Sequence, residues 1–234
     1  MLVLMDIDQT MLASRNSGLR SMVAAGTSLF GEGFHAEGMS VSGRIDPLLV
    51  AEILTLNSIE PAPDTVAAFR RRYAETFEAG IAQDIEVWSL PGVTELLAAI
   101  EREADLTLGV LTGNFEETGT LKLNASGIGI DRFVVRVWGD DSPHEVPHRD
   151  HLPGVAIERY RDAVRRDVEA GDVLVVGDTV HDVRCAQAHD CRSLAVATGH
   201  TSAGDLRVTG ADLVVEDLTD TDGLMQWITR KVRA

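Results

Sequence analysis

"MLVLMDIDQT" (residues 1–10) begins with an apolar run that stops abruptly at two aspartates one residue apart. A short, continuous apolar run suits a strand covered on both faces, as in a parallel sheet. Four later segments repeat the pattern: "LTLGVLT" (106–112), "DVLVVGD" (172–178), "RSLAVAT" (192–198) and "ADLVVED" (211–217). Helical patterns accompany them at 92–102, 115–127, 150–167, 180–190 and 221–232. This alternation predicts a doubly wound, Rossmann-like parallel α/β sheet with right-handed crossovers.

One interval breaks the rhythm. Up to about residue 88 the only further patterns are amphipathic and helical, near 17–30, 47–57 and 63–80. Residues 14–88 therefore read as an inserted α-helical unit on a core of residues 1–13 and 89–234, joined through "NSG" (16–18) and "SLPG" (89–92). Within it, the Gly-rich "FGEGFHAEGMSVSGR" (30–44) reads as the mobile part.

Composition narrows the function. A chain of 234 residues with 44% apolar and 25% charged residues is ordinary for a globular protein with a full core. No apolar run approaches the roughly 20 residues of a membrane span, and signal-peptide features are absent from the first residues, so a cytoplasmic protein is expected. Cys185 and Cys191 form no disulfide framework and read as small buried side chains. A formal charge of −16 argues against nucleic acid, and the basic clusters 69–73 and 160–166 read as solvated helix faces. That charge would also repel an anionic substrate unless a metal or local cations opposed it.

Ligands of open α/β sheets bind at the carboxyl ends of the strands. Asp6 and Asp8 fall there, as do Asp178 in "VVGDTVHDV" (175–183), with Asp182 four residues on, and the hydroxyl and Gly-Asn turn of "VLTGN" (110–114). Each alone has a plain structural reading: an Asx turn, a tight turn, a helix cap. Converging carboxylates repel unless a hard cation neutralises them, and Mg²⁺ prefers oxygen ligands.

Asp6-Ile-Asp-Gln-Thr10, Thr112-Gly-Asn and Gly177-Asp-Thr-x-x-Asp182, in this order, resemble the motifs of the haloacid dehalogenase superfamily over nearly the whole chain. The helical insert resembles the small cap of its phosphoglycolate phosphatase-like members, a likeness strengthened by "VSGRID" (41–46) and "LTGNFEETGTLKLNASGI" (111–128). The resemblance implies a phosphatase that hydrolyses a small phosphomonoester, phosphoglycolate-like or a sugar phosphate, through an aspartyl-phosphate. Asp6 is then the nucleophile and Asp8 the general acid and base, an acid that dehalogenase members lack. Mg²⁺ is expected on Asp6, the Asp8 carbonyl and Asp178, with Asp182 as an outer or alternative ligand. Thr112, Gly113 and Asn114 are expected at the phosphoryl group.

The superfamily's remaining cation is assigned to Arg149 in "PHRDHLPGVAIERY" (147–160), ahead of Lys122, which lies inside a helix. Gln9 stands where many relatives carry Gly. Arg44 and Asp46 have two readings, cap positioning and substrate contact. His144, His148 and His151 are too loosely spaced for a zinc site, and His181 is expected on an exposed first helical turn. The expected partner is a small phosphorylated metabolite, with no nucleic acid or membrane, for a monomer or homodimer. A phosphomutase of the β-phosphoglucomutase type and a catalytically silent phosphate-binding module are the alternatives.

Overall fold

A computed structural model describes residues 1–230. The chain runs through β1 (Leu2–Met5), β2 (Leu12–Ala13), α1 (Ser17–Phe30), α2 (Asp46–Leu56), α3 (Pro63–Ile81) and β3 (Trp88–Ser89). It continues with α4 (Val93–Arg102), β4 (Thr107–Leu111), α5 (Glu116–Ala125), β5 (Val135–Val137) and α6 (Leu152–Val164). β6 (Val173–Gly177), α7 (Val180–Gln187), β7 (Arg192–Val196), α8 (Ala203–Val208), β8 (Leu213–Val215) and α9 (Thr221–Thr229) complete it. Residues 231 and 232, expected to extend the last helix, lie outside the described residues.

The five expected strands all form, and they lie in one parallel sheet of order β5-β4-β1-β6-β7-β8. The sixth, β5, has no counterpart among the expected strands because it is only three residues long and Arg136 interrupts its apolar character. β1 is central and buried throughout. Its alternate residues enter opposite cores, Val3 and Met5 on one face, Leu2 and Leu4 on the other, as a strand's period of two requires. Each such buried side chain stabilises the fold by about 1.5–3 kcal/mol relative to exposure.

α1, α2 and α3 leave and rejoin the sheet through a two-residue antiparallel ribbon that pairs Leu12 with Ser89 and Ala13 with Trp88. α3 begins with Pro63 at its first position, where no intrahelical amide is needed. Its Phe69, Tyr73 and Phe77, spaced four apart, face Met22, Ile53 and Phe34 in a separate apolar cluster. Phe34 anchors the Gly-rich segment by stacking on Phe30 and packing against Phe69. Phe115, from the sheet-bearing part of the chain, joins the same cluster. Among the described residues, no helix is long and apolar enough to cross a membrane.

Candidate active site

Register builds the site. Met5 pairs with Val110 on one side and Val176 on the other, so the residues just beyond, Asp6, Thr112 and Asp178, emerge at one sheet edge. Carboxylate oxygens of Asp6, Asp178 and Asp182 come within 4.8 Å of one another, all buried. Thr10 Oγ1 donates to Asp178 Oδ1 at 3.4 Å. Arg149 Nη2 lies 3.0 Å from Asp6 Oδ1 and also bonds Asp182 Oδ1. The other Asp182 oxygen accepts from the Thr179 amide at 2.9 Å and hydroxyl at 2.6 Å, within a capping box that starts α7. Both Asp182 oxygens are therefore committed to protein donors.

Burial pushes the Asp6 carboxyl up to about 7; Asp182 and Asp8 add to the rise while Arg149 opposes it. Burial, followed by repulsion from Asp182 and Asp6, pushes Asp178 up to about 8. One guanidinium is too little positive charge for three enclosed carboxylates. The donor set, hard oxygens short of positive charge, fits a divalent cation such as Mg²⁺.

A second constellation stands beside the first. Asp8 Oδ2 accepts from Lys122 Nζ at 2.7 Å and from Asn114 Nδ2 at 2.8 Å. Lys122 also donates to Asn114 Oδ1 at 2.6 Å, and Asn114 Nδ2 reaches Thr112 Oγ1 at 2.8 Å. The choice between Arg149 and Lys122 thus becomes a division of labour: the arginine contacts Asp6, the lysine Asp8. Lys122 shares the buried face of α5 with Thr118, Gly119 and Leu123, a face with too few apolar residues to stand out in the sequence. It is also the sole lysine among residues 1–230.

A cavity of about 130 Å³ separates this edge from the helical unit. Asp6, Asp8, Thr112, Lys122, Arg149 and Asp178 line one side; Asn16, Leu19, Ser42, Arg44 and Tyr73 line the other. The segment 41–46 lies directly on the strand ends. A Cβ on Gly113 would overlap the Arg44 carbonyl, and one on Gly43 would overlap the His181 ring. His181 is accordingly half-buried rather than exposed as expected, because this segment covers it. Arg44 pairs with Glu52 at 2.5 Å and donates to the Ser40 carbonyl at 3.0 Å, bracing its own loop.

Gln9 adopts φ 59, the left-handed conformation that Gly accommodates without strain, and its carbonyl accepts from Thr198 Oγ1 at 2.5 Å. Among the described residues, the acidic trio alone brings three metal-capable side chains into convergence. The His144 and His151 rings lie tilted against each other with centroids 4.3 Å apart, yet His151 Nδ1 is engaged by Ser142 and His148 Nδ1 accepts from the Asp150 amide. Both cysteines are free and buried, and burial raises both thiols above their ordinary range.

The HAD-hydrolase-like family model matches residues 153–221. Phosphoglycolate phosphatase of Nitrosospira multiformis is 29% identical over 168 residues, 71% of this chain and 69% of that protein. The Escherichia coli K12 phosphoglycolate phosphatase is 27% identical over 152 residues, 65% of this chain and 54% of that protein. Among solved structures, a hydrolase from Pseudomonas syringae superposes with TM-score 0.70 at 20% identity, covering 97% of this chain and 99% of that one. CbbY from Rhodobacter sphaeroides, in complex with phosphate, gives 0.68 at 21% identity, covering 94% and 95%.

Proposed function

From a chain that is haloacid dehalogenase-like in sequence and fold, we propose a Mg²⁺-dependent phosphatase that hydrolyses a small phosphomonoester through an aspartyl-phosphate on Asp6. The observation that carries this reading is the Asp6 environment. A buried carboxylate stands at a strand end within reach of Asp178 and 3.0 Å from Arg149, with a second, half-exposed carboxylate two residues on. Asp6, Asp178 and the Asp8 backbone carbonyl are the groups that would hold the metal. Asp182, with both oxygens committed, positions Arg149 instead. The cation would supply the charge that lets Asp6 approach an anionic phosphoryl group.

In the first step Asp6 attacks phosphorus, the ester bond breaks, and Asp8 gives its proton to the departing alkoxide. In the second, water attacks the phosphorus of the aspartyl-phosphate, Asp8 takes the water proton, and inorganic phosphate leaves with Asp6 restored. Lys122 and Asn114 fix one Asp8 oxygen and leave the other for proton transfer. Thr112 Oγ1 already accepts from Asn114, so its own proton is available to a phosphoryl oxygen, beside the Gly113 amide. Arg149 keeps Asp6 oriented and offers charge to the phosphoryl group.

Residues 14–88 act in this reading as the cap over a core of residues 1–13 and 89–234. The cavity of about 130 Å³ supports a small ligand, phosphoglycolate-like or a compact sugar phosphate, like the substrate named for the curated relatives. Phosphate release measured across such esters, with Mg²⁺ or with chelator, is the test. Turnover is expected with the metal alone and not in Asp6→Asn; equal turnover by that variant removes Asp6 from the reaction. A requirement for a sugar bisphosphate activator would instead identify a mutase.

A further inference from the structure

We propose that Asp46 is a positioning residue through which closure of the helical unit sets the Asp8 carboxylate for proton transfer; the proposal rests on the phosphatase reading above. Asp46 is the first residue of α2, yet its bonds run to the core. Its amide donates to the Gly113 carbonyl at 2.7 Å. Its Oδ2 accepts from the Phe115 amide at 2.9 Å and lies 3.5 Å from Thr118 Oγ1. Phe115 immediately precedes α5 and provides no side-chain cap for it. The carboxylate serving the start of α5 is thus borrowed from a separate unit, 69 residues away in sequence.

That placement suits both partners. A helix N-terminus presents unpaired amides and partial positive charge, so a buried carboxylate is stabilised there. The same helix carries Lys122 one turn beyond Thr118 on its buried face, and Lys122 holds both Asp8 and Asn114. Gly113, lacking a Cβ, lets the Arg44–Ile45 backbone come close enough to deliver Asp46. When the start of α2 withdraws, the Phe115 amide loses its acceptor and the first turn of α5 is released. Asn114, which holds Asp8, immediately precedes that turn and moves with it, and Lys122, one turn further along α5, loses the Asn114 oxygen it bonds. Closure therefore completes the proton-transfer group as well as covering the substrate.

The test compares Asp46→Ala, Asp46→Asn and wild type in steady-state phosphate release and in hydrogen exchange of the Phe115 amide by NMR. The alanine variant is expected to lose about tenfold in kcat with KM changed less than about threefold, and Phe115 is expected to lose protection. The asparagine variant keeps an acceptor oxygen and is expected to retain at least about half of kcat together with the protection. The proposal is overturned by an unchanged kcat in the alanine variant, or by a rise in KM alone, which marks simple cap docking. It is equally overturned by loss of kcat with Phe115 still protected, or by an asparagine variant as impaired as the alanine one. If the alanine variant does not fold, Asp46→Glu replaces it: its longer side chain misplaces the acceptor, and wild-type kcat there sinks the idea. A wild-type protein that releases no phosphate removes the phosphatase reading and this one together; turnover by wild type confines any failure to Asp46.

Discussion

The core side of the cavity consists of two walls built on different plans. Asp6 and Asp178 come from strand ends, Arg149 from the turn before α6 and Asp182 from the first turn of α7 behind them, and all are nearly inaccessible to water. Asp8, Asn114 and Lys122 form the other wall, where the Asp8 side chain remains 40% exposed and the supporting carboxylate, Asp46, arrives from the helical unit. The first wall is assembled wholly within the sheet-bearing core, from strand ends and the starts of α6 and α7, and is ready whether or not the helical unit is closed over it. The second depends on closure. A nucleophile and metal site must be rigid and dry, whereas a group that passes protons to the leaving oxygen and from water needs solvent access at one stage.

The largest effect expected is at the rigid wall. Asp6→Asn keeps the size and shape of the side chain and removes its nucleophilic oxygen anion, so phosphate release should fall by at least about 10⁴-fold. Single-turnover assays at high enzyme concentration would detect any residual activity, and a loss of less than tenfold would break the proposed distinction between the walls.

Replacing each cation tests the distinction directly. Arg149→Ala leaves buried carboxylates without their guanidinium, so it should lower stability by about 3 kcal/mol as well as kcat by about 10²-fold. Lys122→Met should reduce kcat by a comparable factor but cost only about 1–2 kcal/mol, because half-exposed Asp8 is hydrated by solvent and only the neutral Asn114 oxygen loses its donor. Denaturant titration alongside turnover separates the two. Equal losses of stability would mean that the second wall is as enclosed in solution as the first.

This difference also explains what could be read from the chain. The strands were legible because both faces are buried, which leaves continuous apolar runs, and the motif at each strand end sat where an open sheet binds ligands. Arg149 was legible for the same reason, just ahead of a helix leading back into the sheet. Lys122 and Asp46 were harder. Their roles depend on which face of α5 is buried and on how α2 is delivered across the cavity, and neither is encoded in local spacing. His181 departs from its expected exposure because the segment that covers it, around Gly43, is more than 130 residues away in the chain. Short β5 is not legible because an edge strand with a central arginine carries too little apolar signal.

The pH dependence of stability should belong mainly to the rigid wall, with Asp46, pushed up by burial to about 6, adding a smaller share. Asp6 and Asp178 stand at about 7 and about 8, raised from 3.8, so the folded protein keeps protons that the unfolded chain releases near pH 4. Between those limits the folded state binds more protons, and stability must fall as pH rises from about 4 to 8. Without metal, Tm is therefore expected to be lower at pH 8 than at pH 5. Mg²⁺ should raise it, and more strongly at pH 8, where fewer protons compete for the carboxylates. Asp178→Asn should flatten both the pH slope and the metal response; a slope unchanged in that variant would assign it to groups elsewhere.

The smallest effect is expected where the walls meet. Gln9 lies between Asp8 and Thr10, and its φ of 59 costs a residue with a Cβ about 1 kcal/mol. Gln9→Gly removes that strain but returns part of the gain as extra freedom in the unfolded chain, so the net stabilisation should be about 0.5 kcal/mol, or a rise of about 1–2 °C in Tm. Its carbonyl bond to Thr198 Oγ1 needs only the backbone and survives the change. The turn should therefore keep its course, with Asp6 and Asp8 just upstream of it unmoved, and kcat should stay within about twofold. A fall in Tm would show that the Gln9 side chain makes stabilising contacts with the cavity wall that outweigh the backbone strain. A change in kcat without a change in Tm would mean instead that the stiffness of this turn helps hold the exposed acid, and that part of the flexible wall's order comes from the rigid one.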